Sequence, residues 1–471
     1  MRRAGHAVFA FALVLGCGCS DETPAAKPAD AAAGAAGTSG NGGSGGWAWD
    51  SASPSGGTGA AASGGGPNCP PLGLPKEVPA GFLEYTGYSC SCPFYVPGPS
   101  AEPLPPVQWE PCPQPGPANS SCKRMMTPWT TSNGAVRTFP QFWYDSKLKR
   151  GRLQFARLRV DSVSNTVRHS VVADVDGPIL SAVVEVGLGC VLGDAGIEGD
   201  RYLFNAISEA LGTEGFIGGK IGEAPDFAYR QPLQQYDHTT WRMTGEWVIR
   251  WKSGLHGRRW GATDEVSVYA PSQDIEGLAP HNVVGVGPDV FFRVGGGVSS
   301  GVMVWNEDNG SKPLVRYPGD TTRAAANLGT DGTDLVWTYG EGPVPETATW
   351  TRSVFTAPHS TDPDTVASTA RRLRSDPGTF MVTGFAVGCG YAARQFYQAN
   401  AEGNSANLLI VRLSDGVSWI VEMPPTSEAA LFATALGFTC EEVFTRAQFP
   451  DESVTIVRIR LDSLGPGMPP D

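Results

Sequence analysis

A six-residue pattern, a turn pair leading into an apolar run, recurs along this chain and limits its fold more than any other feature. Gly199-Asp200-Arg201-Tyr202-Leu203-Phe204 aligns with Gly245-Glu246-Trp247-Val248-Ile249-Arg250, Pro288-Asp289-Val290-Phe291-Phe292-Arg293 and Thr333-Asp334-Leu335-Val336-Trp337-Thr338. Looser copies stand at Gly390-Tyr391-Ala392-Ala393-Arg394-Gln395 and Glu441-Glu442-Val443-Phe444-Thr445-Arg446. Counted from the second residue of each copy, the anchors fall at 200, 246, 289, 334, 391 and 442, at intervals of 46, 43, 45, 57 and 51 residues. Each interval holds short apolar or alternating runs bounded by turn residues, which is the signal of strands. Asn309-Gly310 and Asp415-Gly416 each lie between two such runs, where type I′ hairpin turns require residues that tolerate positive φ. A repeat of 40 to 50 residues with several strands cannot bury its apolar faces alone and must stack against its neighbours, as the blades of a β-propeller do.

The expectation is therefore an all-β chain with a β-propeller over residues 127–465, followed by a tail at 466–471. The six anchors and an earlier unit around Phe142 to Val175 make seven blades, with six or eight as alternatives. A pair of β-sandwiches is the competing arrangement. The last unit has a run at Val454 to Leu461 and is one strand short. A segment between Pro106 and Trp129 is expected to supply it, because closing the ring removes the free strand edges. The 60 Gly and 39 Pro suit turn-rich β structure. Helix signals are confined to short turns at Ser208 to Leu211 and Ser427 to Ala435.

Upstream of the repeats the chain changes character. Arg2 and Arg3 precede an apolar run from Ala7 to Leu15, too short to span a bilayer, and Val14-Leu15-Gly16-Cys17 follows. This segment resembles the lipobox of bacterial lipoprotein precursors. The resemblance implies a signal peptide over residues 1–16, removal before Cys17 and lipidation of the Cys17 thiol; Cys19 is the alternative acceptor. Gly18, in place of an Asp, points within that family to the outer membrane. Residues 17–68 are rich in Ala, Gly and Ser, carry too little apolar surface to offset the entropy of ordering, and read as a disordered linker. No other run reaches about 18 consecutive apolar residues, so no transmembrane helix is expected.

Residues 69–126 form a Pro- and Cys-rich neck containing Cys69, Cys90, Cys92, Cys112 and Cys122; Cys190, Cys389 and Cys440 lie further on. In an exported protein this density implies disulfides. The short loop between Cys112 and Cys122 makes them the one pair assigned. Cys90-Ser91-Cys92 lacks the spacing and paired His of a zinc site.

The propeller repeats resemble those of bacterial surface lipoproteins whose blades carry a "Val-Asp-Gly-Thr-x-Val-Tyr-Trp-Thr" hairpin. Leu328-Gly329-Thr330-Asp331-Gly332-Thr333-Asp334-Leu335-Val336-Trp337-Thr338 is the best copy. The group has no assigned function, so the resemblance implies architecture alone.

The chemistry is sparse. Gly297-Val298-Ser299-Ser300-Gly301 fits the nucleophile-elbow pattern but lies between two β runs with no helix after it, and reads as a hairpin loop. The six His show no metal-binding spacing. Asp194, Glu198 and Asp200 offer three oxygen ligands within seven residues, without EF-hand order; no cofactor is predicted, and calcium is the candidate these residues would suit. Trp241, Trp247, Trp251 and Trp260, interleaved with Arg and Lys, are the candidate binding surface, packing between blades being the alternative role. No catalytic residue is assigned. With 47 acidic against 35 basic side chains and a net charge of −12, a nucleic-acid partner is not expected. These readings lead to a monomeric cell-envelope lipoprotein, attached to the membrane by its N-terminal lipid, whose propeller binds a protein, peptide or glycan without catalysis. The alternative is an extracytoplasmic hydrolase or lyase using carboxylates or calcium at the propeller channel, because two acids need only meet in space.

Overall fold

The seven-blade ring follows from how each repeat buries its strands, and it is present in the computed structural model of the chain. The structure describes residues 80–85, 94–114, 116–126, 141–145, 148–160, 166–186, 191–208, 213–232, 242–251, 254–262, 264–270, 283–294, 300–317, 323–341, 351–377, 385–400, 403–423, 434–449 and 454–470. Strands β1 to β4 are Phe82–Tyr85, Phe94–Pro97, Gln108–Pro111 and Lys123–Met126. Blade 1 follows with β5 to β8, Gln141–Asp145, Arg150–Val160, Thr166–Asp174 and Ile179–Val186. Blade 2 has β9 to β12, Val191–Glu198, Arg201–Ser208, Thr213–Lys220 and Phe227–Pro232, and blade 3 has β13 to β16, Arg242–Thr244, Trp247–Trp251, Leu255–Arg259 and Val266–Tyr269. Blade 4 has β17 to β20, Val283–Val286, Asp289–Val294, Ser300–Asn306 and Gly310–Tyr317. Blade 5 has β21 to β23, Arg323–Thr330, Asp334–Glu341 and Thr351–Pro358, then helix α1, Pro363–Thr369, and β24, Arg371–Pro377. Blade 6 has β25 to β28, Phe385–Gly388, Tyr391–Asn400, Gly403–Arg412 and Ser418–Val421; blade 7 has β29 to β31, Thr434–Phe438, Glu442–Gln448 and Val454–Arg460.

Every repeat anchor falls at the first residue of its blade's second strand or one residue before it. These strands begin at Arg201, Trp247, Asp289, Asp334, Tyr391 and Glu442, and the turns before the first five carry Gly199, Gly245, Gly287, Gly332 and Gly390 at positive φ. Gly245 is required twice over, since its φ is 59° and a Cβ there would lie 2.8 Å from the Gly287 carbonyl of blade 4. The first strands β5, β9, β13, β17, β21, β25 and β29 adjoin one another in sequence, and β29 adjoins β5, which closes the ring.

The second strands are apolar without interruption because both of their faces are covered. Leu335 and Trp337 pack toward blade 4, whereas Val336 between them packs toward blade 6. The same alternation sends Trp247 and Ile249 toward blade 4 and Val248 toward blade 2. Seven apolar clusters result, one in each gap between neighbouring blades. Burying each of these large side chains contributes about 1.5 to 3 kcal/mol. Among the described residues, the gap between blades 2 and 3 has the smallest fully buried set, Leu203, Phe216 and Val248. Ring-on-cation contacts supplement it: Arg258 stacks on Tyr229 at 3.9 Å and Arg201 on Trp260 at 5.4 Å.

The described strands before residue 127 belong to the ring as well. β4 pairs antiparallel with β31 and supplies the fourth strand of blade 7, with β3 outside it, so the segment expected to close the propeller does so. β2 pairs with β8, and β1 with β2, extending blade 1 to six strands. At the other end of the chain, Met468 bridges Ser418 on the edge of β28, and Arg374 reaches the Pro469 carbonyl.

Asn309-Gly310 and Asp415-Gly416 do lie in hairpins, with longer loops than the two residues expected. Asn306 pairs with Gly310 across three residues, and the Asp415 turn is closed from Arg412 to Val417. Helix α1 was missed, although Asp362-Pro363 is a start signal: Asp362 caps the Thr365 N–H and Pro363 opens the first turn. Among the described residues no helix is long and apolar enough to cross a membrane.

Candidate binding face

The described residues at the two ends of the propeller carry different side chains. The connections between first and second strands and between third and fourth strands share one end. They carry exposed acids such as Asp200, Glu246, Glu307, Asp364, Asp415 and Asp462. Several hold arginines of the same end: Arg259 meets Glu307 at 2.6 Å and Glu246 at 3.7 Å, Arg412 meets Asp415 at 2.6 Å, and Arg460 meets Asp462. Such exposed pairs contribute about 0 to 1 kcal/mol each.

At the opposite end the strands run into the second-to-third and blade-to-blade connections, most residues of which lie outside the described ones. The strand ends that adjoin them carry arginines. Arg242 opens β13, Arg293 is the last residue but one of β18, Arg352 is the second of β23, and Arg446 lies two from the end of β30. Burial pushes the Arg242, Arg293 and Arg446 guanidinium groups below their ordinary range, and Arg352 adds to the effect on Arg293 by like-charge repulsion.

The densest cluster fills the gap between blades 5 and 6. Arg394 has the parity of Ala392, which packs in that gap, and Arg352 has the parity of Val354, which does the same. Arg352 stands directly opposite Asp376 across the β23–β24 ladder. The Asp376 carboxylate accepts from Arg374 Nε at 2.9 Å and from Arg394 Nη2 at 3.2 Å, with Arg352, Asp376 and Arg394 all under 5 % exposed. Burial lowers the Arg394 guanidinium to about 10; Asp376 opposes this, while Arg352 and Arg374 reinforce it. Arg374 and Arg394 together outweigh the single Asp376 carboxylate, and Arg352, opposite it in the ladder, adds a third positive charge to this buried cluster.

A second cluster centres on Glu265, which Arg250 grips through two hydrogen bonds of 2.6 and 2.8 Å. His256 and Arg258 lie at 3.4 and 3.5 Å. Burial alone would raise this carboxyl, but the bonds and charge of Arg250, with Arg258 and His256, hold it below its ordinary range.

Of the four tryptophans proposed as a surface, Trp247 is 1 % exposed, packs edge-on to Trp305 between blades 3 and 4, and donates to the Pro288 carbonyl, so it presents no surface to a ligand. Trp260 is half-buried beneath Arg201. Trp241 and the Trp251 side chain lie outside the described residues, as does Cys17. Of the Asp194, Glu198 and Asp200 set, two side chains are described. Glu198 accepts from the Gly245 N–H at 2.6 Å across the blade 2–3 gap, Asp200 is exposed 3.9 Å from Arg201, and the Asp194 side chain is outside the described residues. Among the described residues no three His, Cys, Asp or Glu are grouped to hold a metal. Cys112 and Cys122 are bonded, as assigned, and a second disulfide joins Cys389 to Cys440. In the sequence Arg242, Arg250 and Arg258 stand out only as neighbours of the tryptophans, and Arg352, Arg374 and Arg394 are not singled out, although Arg250, Arg293 and Arg446 each close their copy of the repeated hexapeptide.

These seven sheets define a seven-bladed β-propeller. No family model matches the chain, and no curated protein matches it. Among solved structures it is similar to prolyl endopeptidases, with 13 % identity over 79 % of this chain and 51 % of theirs at a TM-score of 0.42. Oligopeptidase B from Leishmania major gives 12 % identity over 69 % of this chain and 48 % of that one, at 0.41. A puromycin hydrolase gives 13 % identity over 73 % and 55 %, also at 0.41. The chain spans about half the length of these proteins, and the propeller assignment rests on its own sheets.

Proposed function

We propose that this chain is a cell-envelope lipoprotein, anchored through Cys17 to the outer membrane, that displays its propeller as a non-enzymatic binding module for an acidic peptide or glycan. The observation that carries the ligand class is the Arg352, Arg374 and Arg394 cluster around Asp376. In a chain of net charge −12, buried guanidinium groups near one end of the ring are not a by-product of composition. Their charge would favour a carboxylate-bearing ligand at that end. The lipobox and the linker support the placement, since together they would hold the ring clear of a membrane.

The test is calorimetric titration of the exported protein with poly-glutamate, a uronic-acid oligosaccharide and neutral dextran. Acidic ligands should bind, weaken as salt rises, and weaken at least tenfold in Arg352→Gln. Binding of neutral dextran alone, or acidic binding indifferent to Arg352→Gln, would overturn the ligand class.

A further inference from the structure

The cysteines of this chain avoid most of the ring. None occurs from residue 191 to residue 388, which takes in blades 2 to 5. Both described disulfides involve blade 7, where the ring closes. Cys389 and Cys440 occupy equivalent turns of blades 6 and 7, each between a first and a second strand, and bind the closing blade to its neighbour. Cys112 and Cys122 lie just beyond the β3–β4 hairpin, at the base of the loop between them.

That loop is the tongue of a clasp. Ser121 Oγ lies 2.7 Å from Ser463 Oγ and accepts from the Arg460 N–H at 3.0 Å, while the Ala118 N–H donates to the Glu422 carbonyl of blade 6 at 2.8 Å. Behind it, β4 meets β31 through the pairs Val457–Arg124 and Arg458–Lys123. A hairpin of two four-residue strands has marginal stability by itself, so docking depends on the closed loop. The hairpin in turn secures the seam between blades 7 and 1. Trp109 of β3 donates from Nε1 to the Val175 carbonyl of blade 1 at 2.8 Å, and Arg458, which reaches Asp176 at 2.5 Å, stacks on the Trp109 ring at 4.6 Å.

We infer that the seam between blades 7 and 1 is a thiol-controlled latch: the ring is complete where disulfides form, and a dithiol reductant releases the β3–β4 hairpin and opens it. In the step, a thiolate of the dithiol attacks a disulfide sulfur, a mixed disulfide forms, and the second thiolate displaces it. Each protein disulfide gains two electrons and two protons to become two thiols, and the dithiol becomes its cyclic disulfide. A chain kept reduced before export would carry an open ring, and closure would follow its arrival in an oxidising compartment.

Hydrogen exchange with mass spectrometry on the full-length protein, with and without dithiothreitol, tests the latch, thiol release being verified by intact mass. Amides of residues 108–126, 141–145 and 442–448 should exchange at least tenfold faster after reduction, while those of β14, β18 and β22 change less than twofold. The Cys112→Ser/Cys122→Ser protein should reproduce the effect at 108–126 without reductant. Unchanged exchange at the seam after thiol release would overturn the latch, and so would equal acceleration in all blades. If the double variant is not recovered folded, the reductant comparison on the native protein decides.

Discussion

Glu198 offers the sharpest test of how the blades are held together. Its carboxylate accepts the Gly245 N–H at 2.6 Å, a bond that favours the charged form, as does nearby Arg201; burial outweighs both and lifts the carboxyl to about 7 from an ordinary 4.5. At about 1.36 kcal/mol per pH unit the full effect is about 3 kcal/mol, and residual solvent contact reduces the expectation to about 2 kcal/mol. The folded state holds this proton more tightly than the unfolded chain. The stabilisation is therefore fully present below pH 4.5, and is lost as pH rises through about 7. Glu198→Gln retains an oxygen to accept the Gly245 N–H and never acquires charge. It should match the natural protein near pH 4 and exceed it by about 2 kcal/mol at pH 8.5. At about 2.1 cal/mol/K per residue over about 390 residues, that is a rise of roughly 2 to 3 °C in Tm. Calorimetry from pH 4 to 9 provides the comparison, with exposed Glu246→Gln, from the adjacent turn, as control. Parallel profiles for Glu198→Gln and the natural protein would refute the reasoning.

Three further outcomes can be measured. Gly437→Ala should cost about 1 to 3 kcal/mol in urea unfolding, because a Cβ there would overlap the Phe142 ring, which stacks on Phe444 at 4.7 Å across the closing seam. Asp376→Ala should cost about 3 to 5 kcal/mol by leaving Arg374 and Arg394 without their shared carboxylate; Arg394→Met combined with Asp376→Leu should recover much of that in the same assay. Cys17→Ser should abolish acyl labelling and release the protein from membrane fractions, and persistent labelling would move the anchor to another residue.

Architecture was legible in the sequence because a propeller is a local structure repeated. Each blade buries both faces of its second strand, so the apolar runs Tyr202-Leu203-Phe204, Val290-Phe291-Phe292 and Leu335-Val336-Trp337 had to recur, and a turn had to precede each one. The count of seven and the closing segment followed from that arithmetic. The Cys112–Cys122 bond was legible for a similar reason, its loop being short. Trp247 shows the limit: an aromatic beside arginines reads equally as surface or core, and the parity that buries it depends on the partner blade.

What the sequence by itself determined, then, was the repeat, its strand content and an N-terminus resembling that of lipoproteins. The tertiary structure alone decided which residues meet between repeats. Cys389 and Cys440 stand 51 positions apart and bond because equivalent turns of neighbouring blades lie side by side. Arg352, Asp376 and Arg394 converge because one strand pair of blade 5 and one strand of blade 6 face the same gap. Period and alternation are written along a strand, whereas pairing across a gap depends on the rotation from blade to blade, which only ring closure fixes.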